Sequence, residues 1–118
     1  MKLLTVEAES EAMRRFIWSD EDRSFAASWL LHTELHCAAG RRRAIPLEWV
    51  TGALAMTALS ELTRGDLIAA AGNAPLRANG AIHLAVASRL GADEIVTYDV
   101  EFADAAERVG IRPISPGR

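Results

Sequence analysis

The feature that most limits the fold of this chain is the alternation of helical patterns with short apolar segments. Strands are predicted in "SFAAS" at 24–28, "ALSELT" at 58–63, "EIVTYD" at 94–99 and "IRPIS" at 111–115. Helices that alternate with buried apolar strands are typical of α/β domains, in which each helix connects two parallel strands. The sequence therefore predicts an α/β domain with a mostly parallel sheet.

The helices predicted between these strands have recognisable beginnings and ends. Ser28 is a good N-cap for "WLLHTELHCAA", and Gly40 ends that helix before three arginines. The other helices are predicted at 6–17, 46–59, 65–72, 78–91 and 100–110. The opening segment "MKLLTVEAES" already has the pattern of the first helix, so no strand is predicted before it.

Composition sets limits on the class of protein. The 118 residues are 50% apolar and 25% charged, which fits one compact domain with a real core. A formal net charge of -3 gives no basic excess, so contact with a polyanion depends on a local patch or a bound cation. No apolar run approaches the ~20 residues needed to span a bilayer. Cys37 is the only cysteine, which predicts a reducing cytoplasm and a small buried side chain.

The segment "HTELH" at 32–36 offers two kinds of site. His32 and His36 are four residues apart on a helix and so share a face, as a pair of zinc ligands does, but no third or fourth ligand with fitting spacing is visible. Glu34 lies within two turns of the start of the same helix, and Asp99 closes the strand at 94–99. Functional groups of parallel sheets gather at the carboxyl ends of strands, so both carboxylates are candidate site residues.

Three segments resemble one known family, the PIN-domain ribonucleases, and among them the VapC toxins of bacterial toxin–antitoxin pairs. They are "SWLLHTELHCAAGRR", "LRANGAIHLAVASRLGADEIVTYD" and "FADAAERVGIRPISPG". The most specific part is an alanine-isoleucine-histidine helix followed by a strand that ends in threonine-X-aspartate. A serine six residues before a helical glutamate adds to it. The resemblance implies a small Rossmann-like, three-layer α/β/α domain covering residues 1–118.

The same resemblance implies an endoribonuclease that hydrolyses RNA with Mg²⁺ or Mn²⁺ held by about four acidic side chains. Glu34 and Asp99 match two of those acids and are expected to be metal ligands, with Ser28 and Thr97 as supporting hydroxyls. A VapB-like antitoxin, a homodimer and a cytoplasmic location are expected as well.

Two of the four family acids do not carry over. The family begins with a strand that ends in aspartate, and this chain is expected to lack that strand, which predicts an amino-terminally incomplete domain. The family has aspartate three residues before the histidine that matches His83, where this chain has Gly80. Asn79 is neutral and is expected to lie at a different azimuth of the helix, as a poor substitute. The competing hypothesis is a catalytically defective relative or fragment that only binds an antitoxin or partner chain.

Other side chains keep two interpretations each. His83 lies among apolar residues, which favours a hydrogen-bonded structural histidine over a general base. The run 41–43 is either a solvated helix end or a contact for RNA phosphates. Trp18, Trp29 and Trp49 belong either to the core or to a groove for a partner helix, in which case the groove lies on segments 28–39 and 46–59.

Overall fold

Short strands, most of them followed by a helix, build the fold. The computed structural model describes residues 1–4, 15–18, 25–41 and 45–116. The strands are β1 (Lys2–Leu4), β2 (Phe25–Ser28), β3 (Thr57–Ser60), β4 (Glu94–Val96) and β5 (Arg112–Ile114). The helices with full bounds are α1 (Trp29–Arg41), α2 (Leu47–Ala55), α3 (Arg64–Ala70), α4 (Ala78–Leu90) and α5 (Val100–Arg108). Residues 15–18 are helical as well.

The five strands found in the described ranges belong to one parallel sheet with the order β3-β2-β1-β4-β5. Successive residues of a strand point to opposite faces, and β4 shows how this divides the core. Ile95 packs in a cluster with Leu84 and Phe102 of α4 and α5, whereas Val96 packs in a second cluster with Leu35 of α1. Helices therefore cover both faces of the sheet. The predicted three-layer α/β/α class is confirmed.

The prediction that the first strand is missing is wrong. Lys2–Leu4 form β1, which occupies the centre of the sheet and pairs with both β2 and β4. The central position offers backbone partners on two sides, and Leu3 is completely buried there. Pairing on both sides and burial outweigh the local helical pattern of this segment. The helix predicted at 6–17 is present at 15–17, while its residues 6–14 lie outside the described ranges.

The other predicted elements are confirmed with shifted ends. The helix after Ser28 continues through Gly40 to Arg41, because a glycine in a right-handed helical conformation does not end a helix. The helix predicted at 46–59 ends at Ala55, since Thr57–Ser60 pair with β2 as a strand. No helix in the described ranges is both long and apolar enough to cross a membrane. An amino-terminally incomplete domain stays a prediction.

Candidate functional site at the carboxyl edge of the sheet

The candidate site residues follow two strands at the same edge of the sheet. Ser28 ends β2 and Asp99 comes shortly after β4, and the next helix starts directly behind each of them. Both strands are parallel to β1, which lies between them. Two strand spacings separate their ends by about 10 Å. The fold thus brings the beginnings of α1 and α5 to one edge, flanking the end of β1.

Ser28 and Thr97 are both fully buried and serve the backbone. The Ser28 hydroxyl accepts a hydrogen bond from the Leu30 N–H at 3.1 Å, at the start of α1. The Thr97 hydroxyl accepts one from the Asp99 N–H at 3.1 Å, and so fixes the turn that leads from β4 into α5. Both hydroxyls hold the backbone where the two helices begin, and their role as supporting hydroxyls of a metal site stays a prediction.

Asp99 is the N-cap of α5. Its Oδ1 accepts hydrogen bonds from the N–H groups of Glu101 at 2.9 Å and Phe102 at 3.3 Å. Oδ2 makes no hydrogen bond with the described residues, and the side chain is exposed. A carboxylate in this arrangement can cap the helix with one oxygen and offer the other to a cation.

Glu34 is held by two side chains of α4. Asn79 donates from Nδ2 to Oε2 at 3.1 Å, and His83 makes a close hydrogen bond from Nε2 to Oε1. The His83 and Glu34 side chains are only 3% and 12% exposed. A hydrogen-bonded histidine is confirmed at position 83, and its partner is the candidate site carboxylate. Asn79, which was expected only as a poor substitute for the family acid at a different azimuth from Gly80, contacts Glu34 through its neutral amide.

The contact of Asn79 with Glu34 has a sequence signal that was overlooked. Asn79 and His83 are four residues apart, so both project from one face of α4. In the folded chain this spacing places both side chains on the Glu34 carboxylate of α1.

Glu34 also lines a cleft of about 310 Å³ together with Leu30, Thr33, Cys37, Arg41 and Asn79. Cys37 is exposed there, so the prediction of a buried cysteine is wrong. Its side chain lies on an exposed side of α1, and the apolar character of cysteine does not reveal which side of a helix the residue occupies. Arg41 is an exposed cation at the end of α1 and borders the same cleft as Glu34.

The two histidines of "HTELH" stack on each other. Their ring centroids are 4.3 Å apart, and Trp29 lies 5.3 Å from His32, so three rings follow one side of α1. His36 uses Nδ1 in a hydrogen bond with the backbone carbonyl of His32 at 2.8 Å. This is the geometry of an aromatic stack along a helix, and one ring nitrogen is already occupied.

Among the tryptophans, the structure separates the two interpretations residue by residue. Trp49 is buried in the cluster beneath α1 and α2 and belongs to the core. Trp18 and Trp29 are 55% and 45% exposed. A Cβ added to Gly52 would lie 3.4 Å from the Trp18 ring, so that ring lies against α2. Of the three tryptophans, Trp18 and Trp29 therefore remain candidates for a surface that binds a partner helix.

The residues that the structure describes do not form a complete acidic cluster. Within those ranges, no three or more histidine, cysteine, aspartate or glutamate side chains lie in an arrangement that could hold a metal ion. The three residues of β1 include no acid, and Gly80 has no side chain. Of the four acids that the resemblance implies, Glu34 and Asp99 are the two for which this chain has a candidate.

Comparison with known proteins agrees with this architecture. The chain is 35% identical to Ribonuclease VapC46 of Mycobacterium tuberculosis over an alignment 130 residues long, which covers 98% of the chain and 91% of that protein. No family model matches the chain. Identity at this level over nearly the full length of both chains, together with the parallel α/β/α sheet, shows that the chain belongs to the VapC family of PIN-domain ribonucleases.

Proposed function

We propose that this protein is a VapC-type endoribonuclease that hydrolyses RNA phosphodiester bonds with Mg²⁺ or Mn²⁺. Two carboxylates support the proposal: Glu34 lies within two turns of the start of α1, which follows β2, and Asp99 caps α5, which follows β4. The ribonuclease activity in the name of the similar protein supports the same reaction class.

The donor atoms fit a weakly held hard cation. Carboxylate oxygens are the ligands that Mg²⁺ prefers, and Mg²⁺ is often bound through one or two carboxylates, with water filling the other positions. Oδ2 of Asp99 is free of hydrogen bonds with the described residues, and each oxygen of Glu34 accepts only one. A cation bound there would lower the pKa of a bound water and offset the charge that develops on the phosphate.

The protein's own residues supply orientation and phosphate binding. The Thr97 hydroxyl fixes the turn that carries Asp99, and Asn79 and His83 hold Glu34. Arg41 is exposed on the Glu34 cleft, where a guanidinium suits a phosphate of the RNA backbone. With only two acids at the site, we expect a slow enzyme rather than an efficient one.

A second candidate function is antitoxin or partner binding without catalysis. It is favoured by the absence of a cluster of three acidic or histidine ligands among the residues that the structure describes. The exposed Trp18 and Trp29 rings would then contribute to the bound surface. We expect a VapB-like antitoxin to bind the protein under either function, and we expect a cytoplasmic homodimer.

The two functions are separated by RNA cleavage assays with Mg²⁺ and with Mn²⁺. The wild type is expected to cleave RNA in a metal-dependent manner, and Glu34→Gln and Asp99→Asn are expected to lower the rate by about 100- to 10,000-fold. Asparagine is also a good N-cap, so Asp99→Asn leaves the start of α5 intact. The matched control is Glu101→Gln, which removes an exposed carboxylate in the first turn of α5.

Equal cleavage by all four proteins would point to a contaminating nuclease and count against the proposal. If none of them cleaves RNA and the wild type still binds an antitoxin, the noncatalytic function is the correct one.

A further inference from the structure

The two oxygens of Glu34 are bound from a single neighbouring helix. Asn79 and His83 are one turn apart on α4, so their side chains reach toward α1 from the same face. Asn79 donates to Oε2 and His83 to Oε1. Glu34 is 45 and 49 residues away in sequence from these two partners. The arrangement is therefore a tertiary contact and not a consequence of local helix geometry.

His83 interacts with Glu34 through one of its two ring nitrogens. The residue is 2% exposed, and its Nδ1 is buried without a hydrogen-bond partner among the described residues. Buried polar atoms are paired in the large majority of cases, and a histidine that only supports the core normally uses both nitrogens. Within the described ranges, the His83 side chain makes its one hydrogen bond with Glu34. The buried His83 side chain therefore uses its hydrogen bond for the Glu34 carboxylate.

Two donors restrict what the Glu34 carboxylate can do. A glutamate on a helix surface samples several rotamers, whereas a hydrogen bond to each oxygen holds the carboxylate plane in one orientation. Each oxygen keeps a second lone pair for another ligand. Since a pre-oriented ligand loses less freedom on binding, such donors strengthen metal binding without touching the ion.

We propose that Asn79 and His83 are positioning residues, which fix the Glu34 carboxylate for binding a divalent cation. This proposal rests on the proposed function, because it assigns Glu34 as a ligand of the cation. It extends the site to α4, where neither residue matches one of the four family acids.

The test is Mn²⁺ binding by isothermal titration calorimetry on the full chain. His83→Asn and His83→Gln form a matched pair, since both carry an amide but only glutamine places its N–H donor near the position of Nε2. We expect His83→Asn and Asn79→Ala to weaken Mn²⁺ binding by about 10- to 100-fold. We expect His83→Gln to remain close to the wild type. Thermal unfolding of each variant identifies any loss that comes from misfolding.

The outcomes distinguish this inference from the function beneath it. If Glu34→Gln loses Mn²⁺ binding but Asn79→Ala and His83→Asn bind like the wild type, the positioning role is wrong and the proposed function stands. If His83→Gln is as weak as His83→Asn while both unfold at similar temperatures, the N–H donor at Nε2 is not what matters, and the role is again wrong. A wild type that binds no Mn²⁺ overturns both proposals.

Discussion

Two carboxylates of this protein, the buried Asp66 and the partly buried Glu34, differ in what surrounds them. Asp66 is 2% exposed, and its two oxygens accept from Arg89 Nε at 2.7 Å and Nη2 at 3.0 Å. It also completes a capping box with Thr63 at the start of α3. Glu34 is bound by the neutral amide of Asn79 and by His83, and it borders a cleft. The partners of Asp66 enclose its carboxylate. Asn79 and His83 orient the Glu34 carboxylate but leave it open to the cleft.

The electrostatics of the Asp66 pair are those of a structural clamp. The hydrogen bonds from the Arg89 guanidinium hold the pKa of the Asp66 carboxyl below its ordinary value, although burial acts in the opposite direction. The same contact raises the pKa of Arg89. Arg89 also donates to the backbone carbonyl of Glu61 at 3.1 Å. Residues 61–66 and the end of α4 are thereby joined, far along α4 from Asn79 and His83.

The difference teaches that burial of a carboxylate does not by itself indicate a functional site. What separates the two is whether a charged partner and backbone donors occupy both oxygens. Asp66 is not one of the positions matched to a family acid, and it was not predicted as a site residue. Each of the following predictions tests this contrast between a clamp and a site.

The largest expected effect on stability is that of Asp66→Ala. We expect it to lower the free energy of unfolding by about 2–4 kcal/mol, because it removes an N-cap partner and leaves a guanidinium without its carboxylate. The estimate is below that for a fully buried pair, since the Arg89 side chain is 39% exposed. Urea unfolding measures it, with Asp104→Ala as a control on an exposed helical aspartate. If both variants lower the free energy of unfolding by similar amounts, Asp66 has no special structural role.

Gly80→Asp tests whether the site is limited by its number of acids. A Cβ at position 80 would lie 3.4 Å from the Phe102 ring, an ordinary contact, so the new carboxylate would point toward the first turn of α5 near Asp99. We expect Mn²⁺ to bind about tenfold more tightly, equivalent to about 1.4 kcal/mol. RNA cleavage is expected to rise as well. Gly80→Ala is the control for the higher helix propensity of a non-glycine residue.

Unchanged Mn²⁺ affinity in Gly80→Asp, with a fold as stable as that of Gly80→Ala, would show that position 80 does not face the cation. The two-acid site would then owe its weakness to another position.

Acid should act on the clamp through the charge of Asp66 alone, which is a smaller change than loss of the side chain. Its pKa in the folded protein is below the ordinary value of 3.8. The unfolded chain therefore takes up the proton first as the pH falls. The stabilisation is fully present above about pH 4 and is lost as the pH falls through the lower, folded pKa. Urea unfolding of the wild type and of Asp66→Asn is measured at about ten pH values, from about pH 6 to about pH 2.5. The difference between their free energies of unfolding is expected to shrink below about pH 4.

The smallest expected effect on stability is that of Glu34→Gln. The variant keeps the shape of the side chain, and its amide oxygen still accepts from one of the two donors on α4. We expect the free energy of unfolding to change by less than about 1 kcal/mol, although Mn²⁺ binding is lost. If Glu34→Gln lowers the free energy of unfolding as much as Asp66→Ala does, Glu34 is a structural residue like Asp66.

Much of the fold followed from local pattern. The helix beginning after Ser28, the helix at 78–90 and the helix that starts behind Asp99 were predicted because their caps and apolar spacing act over a few residues. The central strand was not, since Lys2–Leu4 are extended only by virtue of pairing with β2 and β4. A segment of three residues has too little pattern to reveal partners more than twenty residues away.

The sequence by itself determined the α/β class, the family and the two carboxylates Glu34 and Asp99 as candidates, because motif and periodicity are properties of neighbouring residues. Only the tertiary structure decided which side chains surround them. It brought Asn79 and His83 of α4 onto Glu34, exposed Cys37 beside it and paired Asp66 with Arg89. The physical reason is that these contacts depend on how helices rotate and pack across the sheet, over sequence separations that local pattern does not encode.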